Sequence, residues 1–176
     1  MWQGIAETEW PSRSWARIAG AAGMLALLAI LVDRSATWAH ELAPLNVFTA
    51  RFIAQILNSL GMTCRREMAT LVHPSGFGYE IGFSCIGVIP AALLATAIMF
   101  AGGHMRARVW GAAMGAVGVL VLNLIRLVSL FYIGVLAPRF FSAAHSVIWQ
   151  ALTVFFVVAF FYVWKRRTHA PGNPCG

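Results

Sequence analysis

Apolar segments take up most of this chain, and only short polar stretches separate them. Hydrophobic residues make up 60% of the sequence and charged residues only 11%, which is too little polar surface for a soluble domain of this size. A helix needs about 20 apolar residues to cross a bilayer core about 30 Å thick. We therefore predict one membrane-embedded domain, residues 1–176, of the all-α polytopic class, with about four transmembrane helices at residues 15–32, 86–101, 109–133 and 146–164.

The insert between the first two spans, residues 33–85, is more polar than the rest of the chain. From Pro44 to Leu60 apolar residues recur at helical spacing, and Pro44 and Gly61 are residue types that begin and end helices. Four polar side chains in this stretch would be costly in lipid. We predict an amphipathic helix that lies on the membrane surface or packs under the strands that follow; the alternative is a poor transmembrane span. The apolar stripe is Leu45, Phe48, Phe52, Ile56 and Leu60, and the polar residues are Asn46, Arg51, Gln55 and Asn58.

The rest of the insert is typical of a small β-hairpin. Two strand-like runs flank a turn sequence, HPSG, at residues 73–76. In the second run, Tyr79 and Ile81 fall on one face and Glu80 falls on the other. Because unpaired backbone groups cannot lie in hydrocarbon, we expect the hairpin in water against the ends of the helices.

Basic residues cluster at the ends of the apolar segments, mostly on one side of a four-span arrangement. Cytoplasmic loops carry such an excess, so we predict a multi-pass protein of the plasma (inner) membrane, with both termini cytoplasmic and residues 33–85 outside. The net charge of +7 is then explained by basic residues that flank membrane segments. The predicted partner is the lipid bilayer, and no nucleic-acid partner is predicted. The basic residues on the cytoplasmic side are Arg13, Arg17, Arg106, Arg108, Lys165, Arg166 and Arg167.

Three chemically active side chains are predicted to meet at the outer surface. Cys85 and His145 each begin a span that runs inward, and Arg126 lies about 26 Å along a span that runs outward, at 1.5 Å per residue. An arginine within a membrane segment is costly and is a functional candidate by default. Asn123, one turn earlier on the same face, is a candidate for holding the guanidinium. Each residue also has an ordinary structural explanation, as a small hydrophobe, a helix cap or a headgroup anchor.

These residue types suit acyl transfer through a thioester. A thiol ionises more readily beside a helix N-terminus or a cation, and the thiolate is the nucleophile. His145 would take the thiol proton and return it to the leaving amine, and Arg126 would stabilise the oxyanion. Water would complete proteolysis, whereas another acceptor would complete transpeptidation. The three cysteines include no CxxC pair and no Cys/His ligand spacing, so neither a metal nor another cofactor is predicted.

The motifs around these residues resemble those of the exosortase/archaeosortase family. They are SCIG at residues 84–87, NLIR at residues 123–126 and His145 at the head of the last span. The resemblance extends over residues 64–164, and the short N-terminal part is similar to exosortase H. It implies that the cysteine, the arginine and the histidine are catalytic. It also implies membrane-anchored protein substrates whose C-terminal sorting signal, of the PEP-CTERM type, is cleaved and whose product passes to an envelope acceptor.

Two other functions remain open from the sequence. The chain could be a non-catalytic membrane assembly or scaffold protein, in which Arg126 and Asn123 hold helices together. It could also be a thiol redox protein, because Cys64 and Cys85 bracket the hairpin on the oxidising side of the membrane. A disulfide between them would consume the proposed nucleophile.

Overall fold

The computed structural model describes residues 39–82 and 85–168, together with Gly23. These residues are mostly helical and include one small three-stranded sheet. The predicted first span, residues 15–32, lies outside the described residues except for Gly23. A single domain over the whole chain therefore stays a prediction.

The first described helix, α1 (Ala39–Ser59), is the predicted amphipathic helix with an earlier start. Pro44 lies inside it, so the prediction that Pro44 begins the helix was wrong. The proline removes only one backbone donor near the helix start, and the residues before it still join the helix.

The end of α1 was predicted correctly. Gly61 has a φ of +82°, which is the left-handed conformation that glycine adopts without a steric cost. The N–H of Met62 donates to the carbonyl of Leu57 at 2.9 Å, and the N–H of Gly61 donates to Asn58 at 3.1 Å. These two bonds form the Schellman arrangement that stops a helix. The Asn58 side chain then pairs with both backbone groups of Cys64, over 3.0 and 2.9 Å.

Helix α1 has two apolar sides. Most residues of the predicted apolar stripe lie on the side that is exposed in the structure. Phe48 is 67% exposed and Leu60 is 60% exposed. The side that packs into the protein, against the sheet and a later helix, is formed by small and aliphatic residues. An exposed aromatic face suits the membrane surface. The other face contacts the strands, as the predicted packing under the strands requires. The buried residues are Ala50, Ile53, Ala54 and Leu57.

The sheet has three antiparallel strands in sequence order, β1 (Arg65–Glu67), β2 (Thr70–Val72) and β3 (Gly78–Glu80). The predicted hairpin is the β2–β3 pair, and β1 adds a strand that was not predicted. The turn at residues 73–76 is confirmed by the bond from the N–H of Gly76 to the carbonyl of His73, 3.0 Å long. The predicted alternation also holds in the described part, since Tyr79 and Ile81 are buried and Glu80 is exposed.

Two helices follow the sheet, α2 (Val88–Phe100) and α3 (Met105–Leu136). The chain then forms a second long helical run of mixed type. It consists of a 3-10 turn (Pro138–Phe140), the short α4 (Phe141–Ala143), a π-helical turn (Ala144–Ile148) and α5 (Trp149–Thr168).

The described residues contain two helical runs that are long and apolar enough to cross a membrane, α3 and Pro138–Thr168. About four spans were predicted for the whole chain. The predicted span 86–101 corresponds to α2, which has 13 residues and falls short of that length. Glycines with positive φ bound α2 on both sides, Gly87 (83°) before it and Gly102 (86°) after it. Because a residue with positive φ does not continue a right-handed helix, these two glycines mark the ends of α2.

Helices α2, α3 and α5 pack on one another. Gly111 and Gly115, four residues apart on α3, lie at these contacts. A Cβ at Gly111 would overlap the Trp164 ring, and one at Gly115 would lie 2.9 Å from both Leu94 and Phe160. Close approach of the helices therefore depends on these glycines.

A second core joins the sheet to the far end of α3. The Phe77 ring covers Gly134, where a Cβ would overlap it. The same ring makes edge contacts with Phe131 at 5.8 Å and Phe141 at 5.4 Å between centroids. Residues from α1, strands β2 and β3, α3 and the π-helical turn meet in this core, and the predicted site residues lie at its margin.

Candidate functional site

Cys85 lies in a tight turn between β3 and α2. It is half-buried and its thiol is free. Its N–H donates to the carbonyl of Gly82 over 2.9 Å. At Gly87, which has positive φ, a Cβ would lie 2.8 Å from the Asn123 side chain. Glycine thus lets the cysteine turn approach α3 closely.

Asn123 is the residue that meets this turn. It is 7% exposed, and its Nδ2 donates to the main-chain carbonyl of Cys85 over 2.7 Å. The sequence had suggested that Asn123 holds the Arg126 guanidinium. The observed partner is Cys85 instead, because the left-handed turn at Gly87 brings that carbonyl within reach.

Arg126 lies on the buried face of α3, one helical turn after Asn123. It is 9% exposed, and its Nε has no hydrogen-bond partner among the described residues. A buried donor without a partner is costly, and more so when it is charged. Such a group in a native protein is a candidate for binding something that the isolated chain does not hold.

His145 lies in the π-helical turn, at its second position. Turns of this kind are rare and occur often at functional sites. The imidazole stacks on Phe141, with centroids 5.8 Å apart and an interplanar angle of 13°. Its Nδ1 is buried and has no hydrogen-bond partner among residues 39–82 and 85–168. The two acidic residues of the sheet, Glu67 and Glu80, are exposed.

Tyr79 stands between these residues. Its ring meets the His145 ring edge-on at 6.2 Å, and its hydroxyl is buried without a hydrogen-bond partner in the described part of the chain. Burial raises the pKa of Tyr79 far above its usual range, the Cys85 thiol acts in the same direction, and the Arg126 guanidinium acts against them. The hydroxyl is thus close to both, although its interaction with the thiol does not reach hydrogen-bond geometry.

The structure therefore brings all three predicted site residues to one place, around a fourth that was not predicted as a site residue. Cys85 and Arg126 both act on the Tyr79 hydroxyl, Tyr79 touches His145, and Arg126 lies near enough to act electrostatically on His145. The strand alternation had placed Tyr79 on the same face as the apolar Ile81, and this face is buried in the structure. A polar hydroxyl on a buried face was the signal that could have identified it.

The three unpartnered atoms of this cluster, Tyr79 Oη, Arg126 Nε and His145 Nδ1, are hydrogen-bonding groups of different kinds. The first two donate, and the imidazole nitrogen donates or accepts according to its tautomer. Beside a half-exposed thiol, such a set can hold a polarised carbonyl group and move one proton.

Cys64 differs from Cys85 in its surroundings. It is buried and free, and its thiol donates to the carbonyl of Arg65 over 3.7 Å. Burial raises the pKa of the Cys64 thiol, and a hydrogen bond with the Val72 backbone opposes this effect only in part. Both cysteines are thiols in this structure, so the disulfide of the redox alternative is not formed.

No group of three His, Cys, Asp or Glu side chains in residues 39–82 and 85–168 is arranged to hold a metal ion.

Comparisons with known proteins found no match to this chain. No protein-family model matches the chain, and neither a curated protein nor a solved structure matches it.

Proposed function

We propose that this protein is a membrane cysteine peptidase or transpeptidase of the exosortase type. The observation that carries the proposal is the cluster of three unpartnered polar atoms, on Tyr79, Arg126 and His145, beside the Cys85 thiol. A cluster of this kind costs stability when it is empty, and active sites are where such costs are commonly tolerated.

The proposed reaction begins with transfer of the Cys85 thiol proton to His145. The thiolate attacks the scissile carbonyl carbon, a C–S bond forms, and the electron pair of the carbonyl moves to its oxygen. Arg126 stabilises that oxyanion with a permanent charge. The C–N bond then breaks, and the imidazolium returns its proton to the leaving amine. Water or an amine then attacks the thioester carbon and gives a proton to His145. The C–S bond breaks, and the released Cys85 sulfur takes that proton back.

The proposed substrates are membrane-anchored proteins with a C-terminal sorting signal, and the proposed site faces the extracytoplasmic side of the inner membrane with both termini cytoplasmic. The two long apolar helices support a membrane location. Within the span Pro138–Thr168, none of the most apolar 18-residue window is buried inside the protein, and a lipid environment would cover that surface.

The test is processing of a co-expressed substrate that carries such a signal. Cys85→Ala should abolish the shift in substrate size while the enzyme stays in the membrane at its normal level. Cys64→Ser is the matched control and should process normally, because the Cys64 thiol is buried and donates to the carbonyl of Arg65 instead of joining the unpartnered groups. A trapped thioester on Cys85, with its peptide identified by mass spectrometry, would establish the covalent step. Normal processing by Cys85→Ala would rule out the cysteine mechanism.

A second candidate function is membrane assembly without catalysis. The bond between Asn123 and the Cys85 carbonyl favours it, since a buried polar contact between helical segments also serves as structural glue. Under this hypothesis Asn123→Leu destabilises the protein and Cys85→Ala has no effect on any partner's size. Under the enzymatic hypothesis Cys85→Ala acts without loss of protein.

A further inference from the structure

Tyr79 has an environment that its role in packing does not explain. The residue is 7% exposed, and its ring already has two edge contacts, with Phe141 at 5.6 Å and His145 at 6.2 Å. Phenylalanine would make the same ring contacts. The hydroxyl adds a buried polar group without a partner in the described residues, which a purely structural position would do better without.

The titratable groups around this hydroxyl come from three elements, and α4 adds only the apolar ring of Phe141. Cys85 comes from the turn before α2, Arg126 from α3 and His145 from the π-helical turn. Burial keeps the phenol protonated, since it raises the pKa of Tyr79. Tyr79 can therefore act as a hydrogen-bond donor at physiological pH, and it cannot act as a base.

We propose that the Tyr79 hydroxyl donates a hydrogen bond to the Cys85 sulfur when the thiol is ionised, and so holds the nucleophile in its reactive form. This inference rests on the proposed cysteine chemistry and adds a residue to it. The thiol proton passes to His145, the thiolate gains the Tyr79 donor, and the hydroxyl proton stays on tyrosine throughout. When the C–S bond forms, the sulfur loses its charge and the donor is released.

The geometry assigns this role to Tyr79 rather than to Asn123. The Asn123 amide already donates a hydrogen bond to the Cys85 main-chain carbonyl, whereas the Tyr79 hydroxyl has no hydrogen-bond partner among the described residues. Asn123 thus positions the turn, and the Tyr79 hydroxyl, which interacts with the Cys85 thiol, is free to donate a hydrogen bond.

The test is Tyr79→Phe, which removes one oxygen and keeps the ring. Substrate processing should fall at least about tenfold, which corresponds to 1.4 kcal/mol of barrier. The matched control is Tyr132→Phe, because the Tyr132 hydroxyl makes a long bond of 3.4 Å to the Leu60 carbonyl at an exposed position. The control should process at the wild-type rate.

A second readout does not depend on substrate. The rate of iodoacetamide alkylation of Cys85, followed against pH by peptide mass spectrometry, reports how readily the thiol ionises. In Tyr79→Phe this curve should shift to higher pH, with the same plateau in alkaline solution, and in Tyr132→Phe it should not move. Thermal unfolding in detergent checks that the variant folds. We expect Tyr79→Phe to be as stable as wild type or more stable, because the lost hydroxyl had no partner.

The outcomes separate the two proposals. Wild-type processing and an unshifted alkylation curve in Tyr79→Phe would overturn the role of Tyr79 while Cys85→Ala could still be inactive. Normal processing in Cys85→Ala would overturn the enzyme itself. If Tyr79→Phe failed to fold, Tyr79→Met, which also lacks a donor, would be measured by alkylation. An unshifted curve in Tyr79→Met would assign Tyr79 to structure alone.

Discussion

The Asn123 side chain donates to the main-chain carbonyl of Cys85 over 2.7 Å, across 38 positions of sequence. The bond ties the cysteine turn to the same helix that carries Arg126 one turn later. Because Asn123 and Arg126 share one rigid helix, a contact that holds Cys85 to the first residue also fixes its position relative to the second. The relative placement of the Cys85 thiol and the Arg126 guanidinium thus depends on one amide group and on the glycine that lets the turn come close.

Gly87→Ala should loosen this connection. A Cβ at Gly87 would lie 2.8 Å from Asn123, and positive φ costs a non-glycine residue about 1–2 kcal/mol. We expect a lower melting temperature in detergent and slower processing. The matched control is Gly61→Ala, which has nearly the same φ, 82°, and nothing within 4 Å of its Cβ. Equal losses in the two variants would show that backbone strain alone is at work and that the contact with Asn123 is unimportant.

Arg126→Lys separates a catalytic guanidinium from a membrane anchor. An anchor needs only length and charge, which lysine supplies. Oxyanion stabilisation needs several donors in one plane and a charge that survives burial, and lysine loses its charge more readily when desolvated. We expect normal membrane levels and processing at least about tenfold slower, and a larger loss in Arg126→Ala, of about a hundredfold.

The measurement for Arg126 is the time course of substrate cleavage at matched enzyme levels. Arg139→Lys is the control, because Arg139 lies outside the cluster and over the ring of Phe140, at 4.7 Å from its centroid. A wild-type rate for Arg126→Lys would mean that the charge only anchors α3, and its proposed part in the reaction would be withdrawn.

The two described cysteines should differ in reactivity. Burial raises the pKa of the Cys64 thiol, so Cys64 stays protonated at neutral pH and gains thiolate only in alkaline solution. Cys85 is half-exposed. In a Cys175→Ser background, iodoacetamide at neutral pH should modify Cys85 first, and modification of Cys64 should rise with pH, as followed by peptide mass spectrometry. Faster labelling of Cys64 than of Cys85 at neutral pH would contradict this prediction.

Membrane orientation can be tested by labelling single cysteines in a background in which Cys64, Cys85 and Cys175 are serine. Ser75→Cys, in the turn after β2, should react with a membrane-impermeant maleimide in intact cells, and His104→Cys, before α3, should react only after the membrane is opened. Both positions are exposed, so a difference between them reports sidedness. Equal labelling from outside would remove the basis for a site on the extracytoplasmic face.

The sequence predicted the elements better than the contacts among them. Apolar runs and the turn at residues 73–76 located α3, the last helical run and the β2–β3 pair, because periodicity and turn chemistry are local properties. The strand β1 was missed: its residues Arg65 to Glu67 are exposed and carry no alternation, and only pairing with β2 makes them a strand. The start of α1 was missed because proline usually begins helices and here lies within one.

The sequence could predict which residue types form the candidate site and how far along its helix each one lies. Cys85, Arg126 and His145 could be assigned to one end of the helices from topology. The hydrogen bond of Asn123 and the position of Tyr79 could not, since both depend on tertiary contacts. The first requires the backbone of Gly87 to take a positive φ, and the second requires the sheet to dock on α3 through Phe77 and Gly134.

The length of α2 has a consequence for how a peptide would reach the thiol. Its 13 residues rise about 20 Å, about 10 Å less than the thickness of a bilayer core. Its far end is joined to the start of α3 by the short stretch 101–104. With the start of α3 at the cytoplasmic surface, as we propose, the shortfall falls on the side of Cys85. In a membrane the sulfur would then sit in a recess below the headgroups, and a substrate would have to unwind about three extended residues to descend to it.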